Sequence, residues 1–306
     1  MNKITSILSS ILLVIVILNM TPTLVKTFRA HYDDFFATKT KVGLIKIKDA
    51  ITDVSSYAKN LKNFFEKDDI KAILMHIESP GGAAGSSKAL FNEIMTLKKE
   101  HPKPVVVLTN DLCASGGYYI ACAGDYFIAS PAAIIGSIGS YVGAFKLKDL
   151  LENFKIKYNI KHSGKYKTTL NPFTDVTQEM NDHLQSVSDD VYDQFKTDVA
   201  ARRKLSLAHS EKWANGKFFT GKQALELGLI DEVGSECNAI KKVRELAMID
   251  KDKKIEWVKP DKQSPLAQLL GKEDDAEDKI SISFVDLIVE KICAKLGIEE
   301  SKVMLK

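Results

Sequence analysis

Apolar positions along the chain alternate between strand-like runs and helical stripes. Val42-Gly-Leu-Ile-Lys-Ile-Lys48 alternates like a half-buried strand, and Ile51, Val54, Ala58, Leu61 and Phe65 then recur at three- and four-residue steps on one helical face. Residues 72–77 read as a buried strand, with Ala89, Leu90, Ile94 and Leu97 forming the stripe of a second helix. A β-branched run over 104–108 precedes a compact, helix-compatible stretch over 115–123. A long charged helix is predicted over 177–203, its stripe passing through Met180, Leu184, Val187, Val191, Phe195 and Val199. Strands alternating with helices predict an α/β domain with parallel pairing, and no internal repeat interrupts it.

The ends read differently. Residues 4–20 are largely apolar, and with interruptions the run reaches Val25, which approaches the roughly 20 residues a helix needs to cross a bilayer. No small-x-small cleavage site follows, so an uncleaved N-terminal transmembrane helix over 1–26 is expected in preference to a cleaved signal or a buried helix. A polar stalk over 27–41 and a folded α/β domain over 42–250 follow. Residues 251–306 are expected to form a charged linker and a C-terminal amphipathic helix, with Val285, Ile288, Val289, Ile292 and Leu296 on one face. Lys26, Arg29, Lys39 and Lys41 after the apolar run favour a cytoplasmic body by the positive-inside count.

Composition narrows the function classes. With 45% hydrophobic residues in 306, the chain can bury a full core, which excludes disorder as its default. The balance of 43 Lys plus Arg against 40 Asp plus Glu is too even for a nucleic-acid binder, so no nucleic-acid partner is expected. Cys113, Cys122, Cys237 and Cys293 form neither a CxxC pair nor a dense framework, so no metal, no cofactor and no disulfide scaffold are expected.

Two glycine-marked turns carry the candidate chemistry: Ser79-Pro80-Gly81-Gly82 and Ala114-Ser115-Gly116-Gly117-Tyr118-Tyr119. Each follows a strand and opens a helix, where backbone N–H groups lack intrahelical partners and can build an oxyanion hole. Ser115 at such a turn is either an ordinary helix N-cap or a presented nucleophile. A nucleophilic serine needs a base, and none of His31, His76, His101, His162, His183 and His209 occupies an evident base position, although His162 lies in a loop. Lys165 and Lys167 beside it supply the alternative, since a lysine in a dry pocket loses its proton near neutral pH. A Ser-Lys dyad fits the residues better than a triad.

These stretches resemble the signal peptide peptidase A family of membrane-bound serine-lysine peptidases, in its short single-domain form. The resemblance runs from about residue 42 to 235 and rests on Ser79-Pro-Gly-Gly82, Ala114-Ser-Gly-Gly-Tyr-Tyr-Ile-Ala121, Gly136-Ser-Ile-Gly139, Ser163-Gly-Lys-Tyr-Lys-Thr168 and the closing stretch 216–231. It implies a ClpP/crotonase-like repeated β-β-α superhelix. It also implies Ser115 as nucleophile, Lys167 as general base in the Ser-Gly-x-x-Lys frame with Lys165 competing, Ser137 orienting the base, and Gly82 and Gly116 N–H groups as the oxyanion hole. Glu78 departs from the asparagine of many relatives and could bring a carboxylate near the site.

The function so implied is a membrane-anchored serine endopeptidase acting on remnant signal peptides or other apolar peptides. Short members form ring-like homo-oligomers in which the dyad can be shared between subunits, and the family implies a single-pass cell-membrane protein with an extracytoplasmic catalytic domain, against the lysine count. Two readings compete: a crotonase-like acyl-CoA enzyme, which would use catalytic carboxylates, and a non-catalytic membrane scaffold with a decayed peptidase fold. A ClpP-type triad would need a histidine roughly 25 residues after the serine, where position 140 is Ser140.

Overall fold

The computed structural model describes residues 39–260 together with Met20, Thr21 and Lys26. The rest of the expected anchor over 1–26, most of the stalk and the predicted C-terminal helix lie outside the described residues. Among the described residues no helix is long and apolar enough to cross a membrane.

The domain is α/β with a mostly parallel arrangement. In chain order the elements are β1 (Lys39–Lys48), α1 (Ser55–Glu66), β2 (Ile70–Glu78), α2 (Ala84–Glu100), β3 (Val105–Thr109), β4 (Leu112–Ala114), α3 (Gly116–Ala121), β5 (Tyr126–Ala129), β6 (Ile134–Gly136), α4 (Lys148–Asn153), α5 (Gln178–Arg203), β7 (Phe218–Thr220), α6 (Gly221–Glu226), β8 (Glu232–Val233), α7 (Glu236–Leu246) and β9 (Lys254–Val258). A six-stranded sheet has the order β8-β5-β3-β2-β1-β9, with every pair parallel. A second sheet of three strands, β4-β6-β7, is parallel at its first pair and antiparallel at its second.

Burial explains the pattern. Every residue of β3 is buried, as expected for a central parallel strand covered on both faces. One core, with Ile45, Ile47, Leu61, Phe65, Met75 and Leu90, lies under α1 and α2; the other, with Val42, Leu74, Val106, Ile128, Ala239 and Val243, is closed by α7.

Two local differences from the sequence pattern bear on the site. Ile51, expected at the head of the first helical stripe, instead pairs with the 81–83 backbone, its N–H donating to Gly81 O (2.8 Å) and its carbonyl accepting from Ala83 N (2.7 Å). The helix starts later, after Asp53 Oδ1 accepts the Ser55 N–H at 2.9 Å. Second, the sheet runs past residue 250, because Lys254–Val258 adds an edge strand beside β1, and Lys39–Lys41 at the end of the expected stalk already belongs to β1.

The long helix α5 matches its predicted span. The Thr177 hydroxyl accepts the Met180 N–H at 3.3 Å as N-cap, and the C-terminal end is pinned by arginines. Arg202 donates to the Cys122 and Gly124 carbonyls, and Arg203 forms a bidentate pair with Asp231 at 2.8 and 3.0 Å. Asp231 also accepts the Phe127 N–H at 2.7 Å. Asp231→Asn is therefore expected to cost about 2 kcal/mol, below the full cost of breaking a dry pair because Asp231 is partly exposed. A lowered urea midpoint with an unchanged fold reads this loss.

Candidate active site

The two glycine turns meet. The Ser79 N–H donates to Leu112 O (2.8 Å) and its carbonyl accepts from Ala114 N (3.0 Å), which stitches the first turn to β4 just before Ser115. Ser79 is fully buried; its hydroxyl donates to Asp49 O at 2.6 Å and accepts from Gly81 N at 3.1 Å, so it shapes the turn. Gly81 has φ +103, and a Cβ added there would lie 2.6 Å from both Gly116 N and Ser115 Cβ. A Cβ on Gly116 would in turn stand 3.4 Å from Gly82 N and collide with the Ser87 hydroxyl. The two backbone nitrogens expected in the oxyanion hole are thus neighbours, and neither N–H makes any of the turn and cap hydrogen bonds of this region.

Ser115 stands at the strand-to-helix turn with φ 50 and ψ −123, outside the extended conformation of an ordinary N-cap, and its side chain makes no capping hydrogen bond. Its N–H is held by Gly136 O at 2.8 Å, which seats it beside the third motif. Ser137 follows directly, also at positive φ (51°), with its N–H on Lys217 O at 2.8 Å. Of the two readings of Ser115, the N-cap finds no supporting bond.

Ser115, Ser137, Gly82 and Gly116 line one cavity of about 830 Å³. Its walls add Ala50, Ser87, Tyr119, Val191, Phe195, Ser140, Tyr141 and Val142. Tyr119 stacks on Phe195 with ring centres 4.2 Å apart, and Asp198 accepts from both Tyr119 and Lys88 behind that wall. Among the described residues, no carboxylate, imidazole or amine side chain lines the cavity.

The lysines stand elsewhere in their own chain. Lys167 is exposed in the turn 164–169, with its N–H on Gly164 O at 3.2 Å, and it does not line the cavity. Lys165 is exposed and ion-paired with Glu179, whose hydrogen bond raises the amine's pKa above its ordinary value, the reverse of what a general base requires. His162 is exposed, with its Nδ1 3.2 Å from the Gly164 carbonyl, and it does not line the cavity.

Glu78 does not enter the cavity, although the sequence allowed it. Its carboxylate turns to the 109–112 connection and accepts backbone N–H groups there. Burial works against its ionisation, but the N–H groups of Asn110, Leu112 and Asp111, with His76, outweigh it and hold the pKa below the usual value. The stabilisation from this depressed pKa is complete above the unfolded value near 4.5 and is lost as pH falls through the folded value. Glu78→Gln is expected to flatten the acid limb of stability below about pH 4.5, measured by urea unfolding across pH.

Sequence reasoning missed Ile51 as a brace of the first turn and Ser87 against Gly116. Both sit in ordinary helical stripes with no motif around them, and only the pairing across the turn reveals them.

Comparison with known proteins gives the family. The model of peptidase family S49 matches residues 97–250. A provisionally named protease of Methanocaldococcus jannaschii is 36% identical over 202 residues, covering 66% of this chain and 64% of the relative. A provisionally named protease of Synechocystis sp. is 36% identical over 219 residues, covering 71% and 78% respectively. Protease 4 of Haemophilus influenzae is 30% identical over 258 residues, 79% of this chain but 40% of that longer protein. The chain thus spans less than two thirds of the length of the first and third of these. With the family model over residues 97–250, and with the Synechocystis relative matched over most of its length, the chain belongs to peptidase family S49.

Proposed function

We propose that this chain is a serine endopeptidase in which Ser115 is the nucleophile and Lys167 the general base. The observation that carries the reading is the Ser115 hydroxyl, free of any capping bond, in a cavity where the Gly82 and Gly116 nitrogens are neighbours. The two-sheet α/β architecture of an S49 member supports the ClpP/crotonase-like superhelix. A crotonase-like acyl-CoA reading would need carboxylates at the cavity, and none lines it among the described residues.

Neutral Lys167 takes the Ser115 proton as Oγ attacks the peptide carbonyl, and the oxyanion rests on the Gly82 and Gly116 N–H groups. The ammonium gives that proton to the departing amine, leaving an acyl-serine. The neutral lysine then deprotonates water, which attacks the ester, and returns the proton to Oγ as the acid is released. Each oxyanion donor is worth roughly 3 kcal/mol of barrier. Ser137 orients the amine. The apolar wall of Tyr119, Val191 and Phe195 suits apolar side chains, so remnant signal peptides and other membrane-derived peptides are the substrate class.

Lys167 reaches the serine from a neighbouring copy in a ring-like homo-oligomer. Two observations support this: no amine of its own chain lines the cavity among the described residues, and Tyr141 of the cavity wall is 92% exposed. A dry subunit boundary also lowers the lysine pKa, as the chemistry needs. An N-terminal single-pass anchor in the cell membrane, with the catalytic domain outside the cytoplasm, completes the reading.

A peptide p-nitrophenyl ester tests the nucleophile. The full chain is expected to release a stoichiometric nitrophenolate burst and to carry the acyl group on Ser115 by mass spectrometry. Ser115→Ala abolishes both. A folded, assembled wild type with no burst would instead support the decayed scaffold.

A further inference from the structure

β4, which delivers Ser115, is only three residues long, and Asn110-Asp111 is all that joins it to β3. So short a strand needs an external hold on its starting end. On one side the β6 ladder supplies it, beginning with the Ile134 N–H on Asp111 O at 2.8 Å, and on the other side one carboxylate does. Glu78 Oε1 accepts the Asn110 N–H at 2.6 Å, and Oε2 accepts the Asp111 and Leu112 N–H groups at 3.1 and 3.0 Å. His76 Nε2 stands 2.9 Å from Oε1 and is itself 3.2 Å from the Asn110 amide nitrogen. Three consecutive backbone donors therefore converge on one carboxylate, with the Thr109 hydroxyl 3.5 Å from Oε2, and in the tautomer that carries its proton on Nε2 His76 donates to Oε1 as well.

The place of Glu78 in the chain gives this clamp its consequence. It ends β2, and the next residue, Ser79, opens the turn that presents Gly82. Ser79 binds both ends of β4, its N–H donating to Leu112 O and its carbonyl accepting from Ala114 N. On the side away from β6, the segment leading to the nucleophile is thus held at its 110–112 amides by the Glu78 side chain and at both ends of β4 by the Ser79 backbone. Both holds come from the strand end that sets the oxyanion turn.

We infer that Glu78 is a positioning residue, whose carboxylate gathers the 110–112 amides and so fixes the Ser115 hydroxyl against the Gly82 and Gly116 N–H groups. An amide cannot replace it, because its NH₂ would face backbone donors. Aspartate keeps the charge but is one methylene too short to reach all three. The inference rests on Ser115 as nucleophile.

The test compares wild type, Glu78→Gln, Glu78→Asp and Asp231→Asn as full chains, below the unfolding transition of each. Asp231 lies away from the cavity and controls for lost stability alone. The acylation rate with the p-nitrophenyl ester is expected to fall about 10²-fold in Glu78→Gln with KM nearly unchanged, as for a nucleophile displaced by about an ångström. Glu78→Asp should fall between, and Asp231→Asn should lose stability but not rate. Amide hydrogen exchange should accelerate at residues 110–112 in both Glu78 variants and not in Asp231→Asn.

Wild-type acylation in Glu78→Gln, or unchanged exchange at 110–112, overturns the inference. An equal loss of rate in Asp231→Asn overturns it too, since stability alone would then explain the effect. If wild type itself shows no burst, the nucleophile reading falls and with it the catalytic part of the inference, while exchange still decides whether Glu78 holds the segment.

Discussion

Lys167→Ala is expected to lower peptide turnover about 10²- to 10⁴-fold, the range for removing a general acid-base, while Lys165→Ala retains most activity. The asymmetry follows from the electrostatics of the two amines. Lys165 is held by Glu179, which stabilises its ammonium form. Lys167 is exposed and outside the cavity of its own chain, which is why the proposed dyad takes it from another copy. Co-assembling Ser115→Ala with Lys167→Ala chains should consequently restore part of the turnover, because some boundaries then pair an intact serine with an intact lysine. Steady-state rates on an apolar peptide panel, measured on the separate variants and their co-assembled mixture, check this. A mixture no more active than its parts would place the dyad within one chain, and loss of activity in Lys165→Ala alone would exchange the roles.

Gly81→Ala is expected to reduce kcat about 10²-fold or more, comparable to deleting one oxyanion donor. No new group enters the chemistry; the added methyl occupies space the site uses. At 2.6 Å from Gly116 N and from Ser115 Cβ it must push the donor or the nucleophile out of place, and the backbone at φ +103 disfavours any side chain. The cost should appear in kcat more than in KM, because the apolar wall at Tyr119 and Phe195 is untouched. Gly85→Ala on the same helix start, where an added Cβ meets nothing within 4 Å, is the matched control and should keep wild-type turnover. Similar losses in both variants would remove the oxyanion turn from the account.

Much of the fold was legible because its segments repeat one physical requirement. Residues 72–77, 104–108 and 177–203 announce buried strands and an amphipathic helix by periodicity, and the structure forms them with small shifts at the ends. Legibility failed where the partner was remote in sequence. Ile51 fits a helical stripe but pairs with Gly82, and Lys254–Val258 sits in charged surroundings that read as a linker, although β1 offered it an open edge. Glu78 was visible as a departure; its three amide partners, 32 to 34 residues away, were not.

The α/β class, both glycine turns and the place of Ser115 at a strand end are legible locally, because each is a local demand: a period, a missing Cβ, a small polar residue at a strand end. Folding in three dimensions adds that the turns meet in one cavity, that Ser115 leaves its helix uncapped, that Lys165 is tied to Glu179 and that Glu78 faces the backbone and not the cavity. Those outcomes depend on contacts between residues far apart in the chain, whose geometry is set by how the two sheets pack and is written in no single stretch.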